Sequence, residues 1–419
     1  MAERAPPAAR TEGKGDRNAE RASREGNARH PALSAPASVP PGDLKLDGHA
    51  FGRPSAAAIC ASGSGESGRG ETELRRAGTY RQSYAAIDLG TNNCRLLIAR
   101  PAGENFIVVD AFSRVVRLGE GLAQNGQLSQ AAMDRALSAL NICADKLRRR
   151  NVHLARSVAT EACRRAVNGA EFIERVRQET GIALDIISAR EEARLAVLGC
   201  HILLEPGNGP AMIFDIGGGS TELVLIENTD TVPRILDWQS VPWGVVSLTE
   251  TCGSEGPDAA SRAARYVRMR ELVSTSFAAF AERATRQREQ AFPLATLRLL
   301  GTSGTVTTLA SLHLDLPQYD RRAVDGIIVP ADSMRSISSR LSALSLEERR
   351  EVPCIGRERA DLVVAGCAIL EAILDLWPAD RLGVADRGIR EGILRSLITS
   401  NGDGERARAE LRRTRQGQA

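Results

Sequence analysis

The chain has 419 residues, a formal net charge of +3 at pH 7 and an aromatic content of only 4%. Since single domains run to about 100–200 residues, this length predicts two domains with additional segments. The near balance of charge and the scarcity of aromatic side chains argue against a nucleic-acid-binding protein.

Cysteine spacing and hydropathy exclude further classes. The eight cysteines are dispersed without a CxxC pair, so a zinc site is not indicated and we interpret them as reduced thiols. No apolar run approaches the roughly 18 residues that a membrane helix needs, and the N-terminus lacks the apolar core of a secretory signal. We therefore expect a cytoplasmic protein without a membrane partner.

Both ends of the chain have the composition of disordered segments. Residues 1–81 are rich in Ala, Pro, Gly, Ser and Arg and show no helix or strand periodicity. Such sequences bury too little apolar surface to offset the entropy of ordering. The prediction is a disordered arm over 1–81 and a disordered tail over 400–419.

The first ordered elements form a hairpin followed by alternating strands and helices. In YAAIDLGTNNCRLLIARP (84–101) an apolar run ends at Asp88, a Gly-Thr-Asn-Asn turn follows, and a second apolar run predicts a return strand. ENFIVVD predicts a third strand. Helical spacing of Ala and Leu over 130–150, a strand at LARSVAT and a helix over 161–181 continue the pattern, which is typical of an α/β domain.

A carboxylate on an apolar helix face follows these elements. Ser188 and Glu191 have the spacing of a capping box, which starts a helix without any functional assumption. Glu192 instead lies on the same face as the apolar residues three, four and seven positions later. A carboxylate in that position either marks a domain edge or faces a cleft.

The second half of the chain repeats the opening hairpin. AMIFDIGGGSTELVLI (211–226) has the same order of strand, Asp, glycine turn and strand, with Asp215 in the position of Asp88. Two copies of one unit indicate a duplicated domain. We predict domain I over 82–203, domain II over 204–384 and a C-terminal helix over 385–399 that packs on domain I.

The glycine turns predict a phosphate site with a metal ion. Successive backbone N–H groups in such turns bind anions, because glycine allows close approach. Asp88 and Asp215, at the strand ends beside the turns, supply the hard oxygen ligands that Mg²⁺ prefers. The alternative for either copy is an ordinary glycine-rich hairpin in which Asp favours the turn.

A third glycine turn lies in LRLLGTSGTVTTLASL (297–312), where a strand ends before Gly301. Ser303 and Gly304 then lead into a helix whose N-terminus favours an anion. As the later loop of the second copy, this turn fits the same cleft.

These residues resemble the exopolyphosphatase and guanosine pentaphosphate phosphohydrolase family, within the sugar kinase, Hsp70 and actin superfamily. The resemblance is collinear over about 84–397. It is carried by AAIDLGTNNCRLLIAR, RVVRLGEGL, VATEACRRAVN, IISAREEARLAVLG, FDIGGGSTELVL, LGTSGTVTTLA and VADRGIREGIL. It implies two actin-like (ribonuclease-H-like) α/β domains flanking a cleft that binds a phosphate chain, with Mg²⁺ as the cofactor.

The resemblance also implies roles for individual residues. Glu192, the second Glu of the EEARL segment, corresponds to the catalytic base that activates the attacking water. Arg164 corresponds to a phosphate-contacting arginine, with a solvated helix arginine as the alternative. The implied phosphate-binding residues at the two hairpin tips are Gly90, Thr91, Asn92 and Asn93, and Gly217, Gly218, Gly219, Ser220 and Thr221.

Two features depart from the family pattern. The first turn reads GTNNC where GSNS is common, and no His-Asp dyad follows His313, so we expect a short form without the C-terminal HD-type domain of long members. The favoured function is Mg²⁺-dependent release of the terminal phosphate from inorganic polyphosphate. Hydrolysis of guanosine pentaphosphate, a non-catalytic phosphate or nucleotide sensor, and a sugar or acetate kinase are the alternatives, and a homodimer follows from family habit.

Overall fold

A computed structural model describes residues 82–102, 105–207, 209–227, 233–291 and 298–400 of the chain. The disordered arm predicted over 1–81 and nearly all of the tail predicted over 400–419 lie outside these ranges. Below, the N-terminal half denotes the described residues up to 203, and the C-terminal half denotes those from 204 to 400.

The N-terminal half contains a five-stranded sheet with the order β3-β2-β1-β4-β5. The strands are β1 (Ser83–Leu89), β2 (Asn93–Ala102), β3 (Asn105–Val115), β4 (Val152–Ala159) and β5 (Leu184–Ile186). β1, β2 and β3 pair antiparallel, whereas β4 pairs parallel with both β1 and β5. The central strand β1 is buried except at Asp88, as expected of a continuous apolar run covered on both faces.

The C-terminal half contains a six-stranded sheet with the order β10-β11-β9-β6-β7-β8. The strands are β6 (Pro210–Ile216), β7 (Thr221–Glu227), β8 (Arg234–Val241), β9 (Arg298–Thr302), β10 (Ile328–Pro330) and β11 (Arg381–Ala385). β6, β7 and β8 pair antiparallel, while β9 pairs parallel with β6 and β11. The second sheet therefore repeats the first, with β6 in the place of β1.

Thirteen α-helices and a short 3-10 helix (His201–Leu203) surround the sheets within the described ranges. In the N-terminal half they are α1 (Leu122–Asn125), α2 (Gln130–Arg149), α3 (Glu161–Arg165), α4 (Gly169–Thr180) and α5 (Ala189–Cys200). In the C-terminal half they are α6 (Val245–Cys252), α7 (Ala259–Ala291), α8 (Gly304–His313), α9 (Arg321–Val324), α10 (Ala331–Ala343), α11 (Leu346–Arg350), α12 (Val363–Leu376) and α13 (389–400). Among the helices of the described ranges, none has the length and apolar character required to cross a membrane.

The prediction of a single helix over 161–181 is wrong, because this segment forms two helices, α3 and α4. Ala166 adopts an extended backbone conformation after α3, and α4 begins at Gly169. Asn168 turns the chain here, since its side chain accepts from the Leu128 amide at 2.8 Å and donates to the Leu128 carbonyl at 3.0 Å. This tertiary contact overrides the helical periodicity of the segment.

The predicted capping box is half formed. Ser188 caps α5, because its hydroxyl oxygen accepts from the Glu191 amide at 3.2 Å. The Glu191 carboxylate accepts from Arg194 at 2.8 Å and from Arg156 at 3.1 Å. In a complete capping box the Glu191 carboxylate would accept from the Ser188 backbone amide, but here it accepts from the two arginines instead. Arg156 thereby links α5 to β4.

Helix α13 returns to the N-terminal half. Ile389, Ile393 and Leu394 lie in one buried cluster with Tyr84 and Leu97 of the first sheet. The predicted boundary at 203/204 falls between the strands of the two sheets, and the domain limits themselves remain predictions.

Glycines set the close approach of α13 to α5. An ideal Cβ at Gly392 would lie 2.0 Å from the Leu195 carbonyl oxygen, and one at Gly199 would lie 1.9 Å from the Gly388 carbonyl oxygen. Backbone atoms cannot move aside as a flexible side chain can. The helices therefore pack at a distance that only glycine permits at these two positions.

We predict that Gly392→Ala destabilises the protein even though alanine favours a helix. The collision with the Leu195 carbonyl should lower the free energy of unfolding by about 1–3 kcal/mol, the usual cost of overpacking. Gly388→Ala is the matched control, because its added Cβ would meet nothing nearer than 3.5 Å. Chemical denaturation of both variants measures the difference, and equal stability of the two variants would contradict this packing.

Candidate active site

The tips of the two repeated hairpins meet face to face. Each turn closes with the same backbone bond, from Gly90 N to the Asn93 carbonyl and from Gly217 N to the Ser220 carbonyl, both at 2.9 Å. An ideal Cβ at Gly218 would lie 3.1 Å from the Asn92 amide nitrogen, so the tips approach too closely for a side chain. The duplicated sequence unit thus produces one composite site.

A cavity of about 130 Å³ lies at this junction. Its lining includes these residues predicted from sequence: Asp88, Gly90, Thr91, Asn92, Asn93, Glu192, Asp215, Gly217, Gly218, Gly219, Ser220, Ser303 and Gly304. Three predicted site residues, Arg164, Thr221 and Gly301, are not among the lining residues.

The three residues outside the lining have other contacts. The Thr221 hydroxyl donates to the Trp243 carbonyl at 2.6 Å, beneath the second turn. An ideal Cβ at Gly301 would lie 2.4 Å from Phe214 Cζ, so this glycine makes room for an aromatic ring. Arg164 is part of an ion-pair group that includes Glu192, described next.

Glu192 is 7% exposed and lies in the first turn of α5. Arg164 donates to its carboxylate at 3.0 Å and also to the Ile187 carbonyl at 2.7 Å and the Glu161 carboxylate at 2.5 Å. Burial, together with the nearby Glu222 carboxylate, raises the pKa of Glu192 well above its ordinary value, while Arg164 opposes the rise. Arg164 therefore orients and partly neutralises a buried carboxylate at the cavity wall.

Within the described ranges, the carboxylates of the equivalent aspartates Asp88 and Asp215 have no hydrogen bond and no salt bridge. Burial raises the pKa of both, and that of Asp215 reaches about 8. The side-chain oxygens of Asn92 and Asn93 are buried without a hydrogen-bond partner. Buried polar groups normally have hydrogen-bond partners. The unpaired side-chain oxygens at this cavity are therefore available to a bound ligand or ion.

A hard cation such as Mg²⁺ fits these donors. Carboxylate and amide oxygens are its preferred ligands, and it usually takes one or two carboxylates from a protein and the rest from water and phosphate. No group of three His, Cys, Asp or Glu side chains with metal-binding geometry occurs in the part of the chain that the structure describes. Asp88 and Asp215 would supply two carboxylates to such an ion and would leave its other positions to water or phosphate.

Sequence reasoning missed two further carboxylates of the cavity. Glu222 is buried on β7, accepts from the Ser220 hydroxyl at 2.7 Å and from the Ser240 hydroxyl at 2.8 Å, and burial raises its pKa to about 7. Glu161, at the start of α3, also lines the cavity. A charged residue inside the otherwise apolar run TELVLI was a detectable signal for Glu222, whereas nothing in the local pattern distinguishes Glu161.

Two arginines, Arg95 from β2 and Arg359 from the C-terminal half, also line the cavity. Within the described ranges, the guanidinium group of neither arginine has a hydrogen bond or a salt bridge. Burial and the positive charge of Arg95 both lower the pKa of Arg359. Two guanidinium groups that line one cavity without a direct hydrogen-bond partner are available to bind an anion. Both side chains were missed, because Arg95 lies on the return strand of the first hairpin rather than in its turn, and Arg359 lies outside every motif identified in the sequence.

The third glycine turn borders the same cavity. Ser303 caps α8, since its hydroxyl oxygen accepts from the Val306 amide at 3.2 Å. An ideal Cβ at Gly304 would lie 3.3 Å from Arg359 Nη1, so the arginine lies directly against this turn. The helix N-terminus and the guanidinium therefore present positive charge on one wall.

Comparison with known proteins agrees with this architecture. The Ppx/GppA phosphatase family matches residues 97–401. Exopolyphosphatase 2 of Mycobacterium tuberculosis is 32% identical over 331 residues, which cover 75% of this chain and 98% of the relative. A guanosine-5'-triphosphate,3'-diphosphate pyrophosphatase of Aeromonas salmonicida is 28% identical over 320 residues, which cover 76% of this chain and 60% of the relative.

Solved structures of Ppx/GppA proteins are also similar to this chain. An exopolyphosphatase from Cytophaga hutchinsonii superposes with a TM-score of 0.67 at 25% identity, covering 76% of this chain and 98% of that chain. The Aquifex aeolicus member of the Ppx/GppA family superposes with a TM-score of 0.60 at 27% identity, again covering 76% and 98%. The α/β fold class predicted from the sequence is confirmed, with a sheet in each half of the chain.

The fold and these similarities define a phosphoanhydride hydrolase. The chain belongs to the Ppx/GppA phosphatase family.

Proposed function

We propose that this protein releases the terminal phosphate from inorganic polyphosphate, with Glu192 as the general base and Mg²⁺ at Asp88 and Asp215. The observation that carries the proposal is the position of Glu192, a buried carboxylate at the wall of a cavity formed by two glycine-rich tips. The names of the relatives from Mycobacterium tuberculosis and Cytophaga hutchinsonii support the choice of polyphosphate.

The cavity walls suit a chain of phosphate charges. Backbone N–H groups of the turns at 90–93 and 217–220 can donate to phosphate oxygens, as can Arg95 and Arg359, one from each half of the chain. Mg²⁺, when bound, would neutralise part of the phosphate charge. The residues available to hold it are Asp88 and Asp215, with the amide oxygen of Asn92.

Glu192 has the properties that a base for water activation needs. Its raised pKa makes the carboxylate a stronger base than an exposed glutamate, and Arg164 opposes the rise of that pKa. In-line attack on a terminal phosphoryl group requires mainly positioning and charge neutralisation. A single oriented base, supported by an arginine that does not itself line the cavity, meets that requirement.

Guanosine pentaphosphate is the second candidate substrate. Part of the cavity lining is apolar, from Ile355, Leu362, Val363 and Ile389, which gives a nucleoside a surface to contact. Relatives named guanosine-5'-triphosphate,3'-diphosphate pyrophosphatase also occur. A sensor without catalysis is less favoured because Glu192, Asp88 and Asp215 all line the cavity. The cytoplasmic location and the homodimer remain predictions.

We predict that Glu192→Gln lowers phosphate release by about 10²- to 10⁴-fold, the usual contribution of a general base. Glutamine keeps the shape and a hydrogen-bond acceptor but cannot take the proton of water. Phosphate release with Mg²⁺ should be measured on short polyphosphate, long polyphosphate and guanosine pentaphosphate side by side. Glu179→Gln, at an exposed glutamate of α4 that pairs with Arg175, is the control that should retain activity.

The comparison also identifies the substrate. Preferred cleavage of polyphosphate supports the first candidate, and preferred cleavage of guanosine pentaphosphate supports the second. An active Glu192→Gln variant would remove the assigned base, and a wild-type protein that binds these compounds without cleaving any would turn the assignment toward a sensor.

We predict that the acidic limb of the pH profile of kcat/KM lies above the ordinary titration range of glutamate. The base acts only when deprotonated, so a raised pKa of Glu192 moves the limb to higher pH. Arg164→Gln should move it higher still, because the removed positive charge favours the ionised carboxylate. Arg177→Gln, an exposed arginine paired with Glu174, should leave the limb in place. A limb that stays in place or moves to lower pH in Arg164→Gln would contradict this assignment.

A further inference from the structure

One wall of the cavity is an irregular segment, residues 353–362, between α11 and α12. Ile355, Arg359 and Leu362 of this segment line the cavity. Its backbone has a positive φ at Cys354 (67°) and at Gly356 (69°), so it is a sequence of turns rather than a regular element. The position of Arg359 therefore depends on the contacts that hold this segment.

The first anchor of the segment comes from its own half of the chain. Arg349 is 1% exposed, and its Nε donates to the Ala360 carbonyl at 2.9 Å. The same guanidinium pairs with the Glu255 carboxylate and donates to the Leu344 carbonyl at 2.5 Å. Ala360, the residue next to Arg359, is thus fixed to the C-terminal half.

The second anchor crosses the cleft. Arg117, in the loop after β3, donates to both Asp361 carboxylate oxygens, at 3.0 Å and 3.3 Å. Its Nη2 also donates to the Glu358 carbonyl at 3.0 Å. The contacts of this one side chain therefore lie on both sides of Arg359, and the two-pronged geometry is the strong form of an arginine–carboxylate pair.

Arg117 is itself attached to the first hairpin tip. The Asn92 carbonyl accepts from Val116 N at 2.8 Å and from Arg117 N at 3.0 Å, and the Arg117 carbonyl accepts from Arg135 Nη2 at 3.1 Å. A continuous set of hydrogen bonds therefore runs from Asn92 at the tip, through Arg117, to Glu358 and Asp361, which lie before and after Arg359 in the chain.

The backbone of Arg117 indicates that its side chain is needed. Its φ is 46°, in the left-handed region that favours glycine and is uncommon for a residue with a Cβ. Glycine would relieve this conformation, yet the position carries an arginine whose side-chain exposure is 35%. The contact across the cleft explains why a residue with a long side chain adopts an unfavourable backbone here.

We propose that Arg117 is a positioning residue that aligns Arg359 with the first hairpin tip, so that both contact the same phosphate chain. The inference rests on the proposed function for the identity of the ligand. Arg117 does not line the cavity and acts through the segment 353–362. Arg359 contacts the phosphate, and its register relative to Asn92 is set by the bonds of Arg117.

The test uses Arg117→Gly in the full chain. Glycine accommodates the left-handed backbone, so thermal stability should stay the same or rise while the contact across the cleft is lost. Without any ligand, hydrogen exchange of the bonded amides of Arg359, Leu362 and Val363 should become faster. With Mg²⁺ and tripolyphosphate, Kd should rise about tenfold, the factor expected for one weakened charge-assisted contact.

Arg175→Ala is the matched control. Arg175 has a side-chain exposure of 33%, close to that of Arg117, and pairs with Asp134 and Glu179 within the N-terminal half. Neither the exchange of residues 359–363 nor the Kd should change in this variant.

A double-mutant cycle decides whether Arg117 acts through Arg359. In the Arg359→Ala background, Arg117→Gly should have no further effect on Kd, because the group that it positions is absent. Additive losses, unchanged exchange in Arg117→Gly, or a fall in stability that accounts for the loss would each overturn the proposal. Failure of the wild type to hydrolyse any phosphate chain would instead overturn the proposed function, since the exchange measurement requires neither ligand nor catalysis.

Discussion

The contact between the two hairpin tips is the constraint on which the site depends. Gly218 and Gly219 of the second tip lie against Thr91 and Asn92 of the first, at distances that leave no room for a Cβ. This contact brings the ends of β1 and β6, and with them Asp88 and Asp215, to one cavity. Glycine at this junction has two consequences, because it allows the halves to meet and leaves backbone N–H groups accessible to an anion.

The cavity beside that contact is lined by more carboxylates than arginines. The carboxylates that line the cavity are Asp88, Glu161, Glu192, Asp215 and Glu222. Two arginines, Arg95 and Arg359, face them, and Arg164 neutralises part of the group from outside the lining. We expect phosphate to enter this excess of negative charge together with a divalent cation, because the arginines alone do not compensate it.

The sequence predicts the elements whose order is local. Apolar runs on both sides of a glycine turn identify both hairpins, and the carboxylate on the apolar face of α5 identifies Glu192. Features that depend on distant contacts were not predictable. Asn168 interrupts a helical pattern by bonding to Leu128, and Arg359 reaches the cavity from an irregular segment held by Arg349 and Arg117. Arg117 and Glu358 are 241 positions apart in the sequence, and helix or strand periodicity relates only residues that are close in sequence.

The most direct measurement is a crystal structure of the Glu192→Gln protein with Mg²⁺ and tripolyphosphate. Our account predicts that the terminal phosphate lies between the turns at 90–93 and 217–220, that the cation lies between it and Asp88 and Asp215, and that a water is within hydrogen-bond distance of residue 192. A phosphate chain bound elsewhere, or a terminal phosphorus with no room for water on the side of residue 192, would contradict the account.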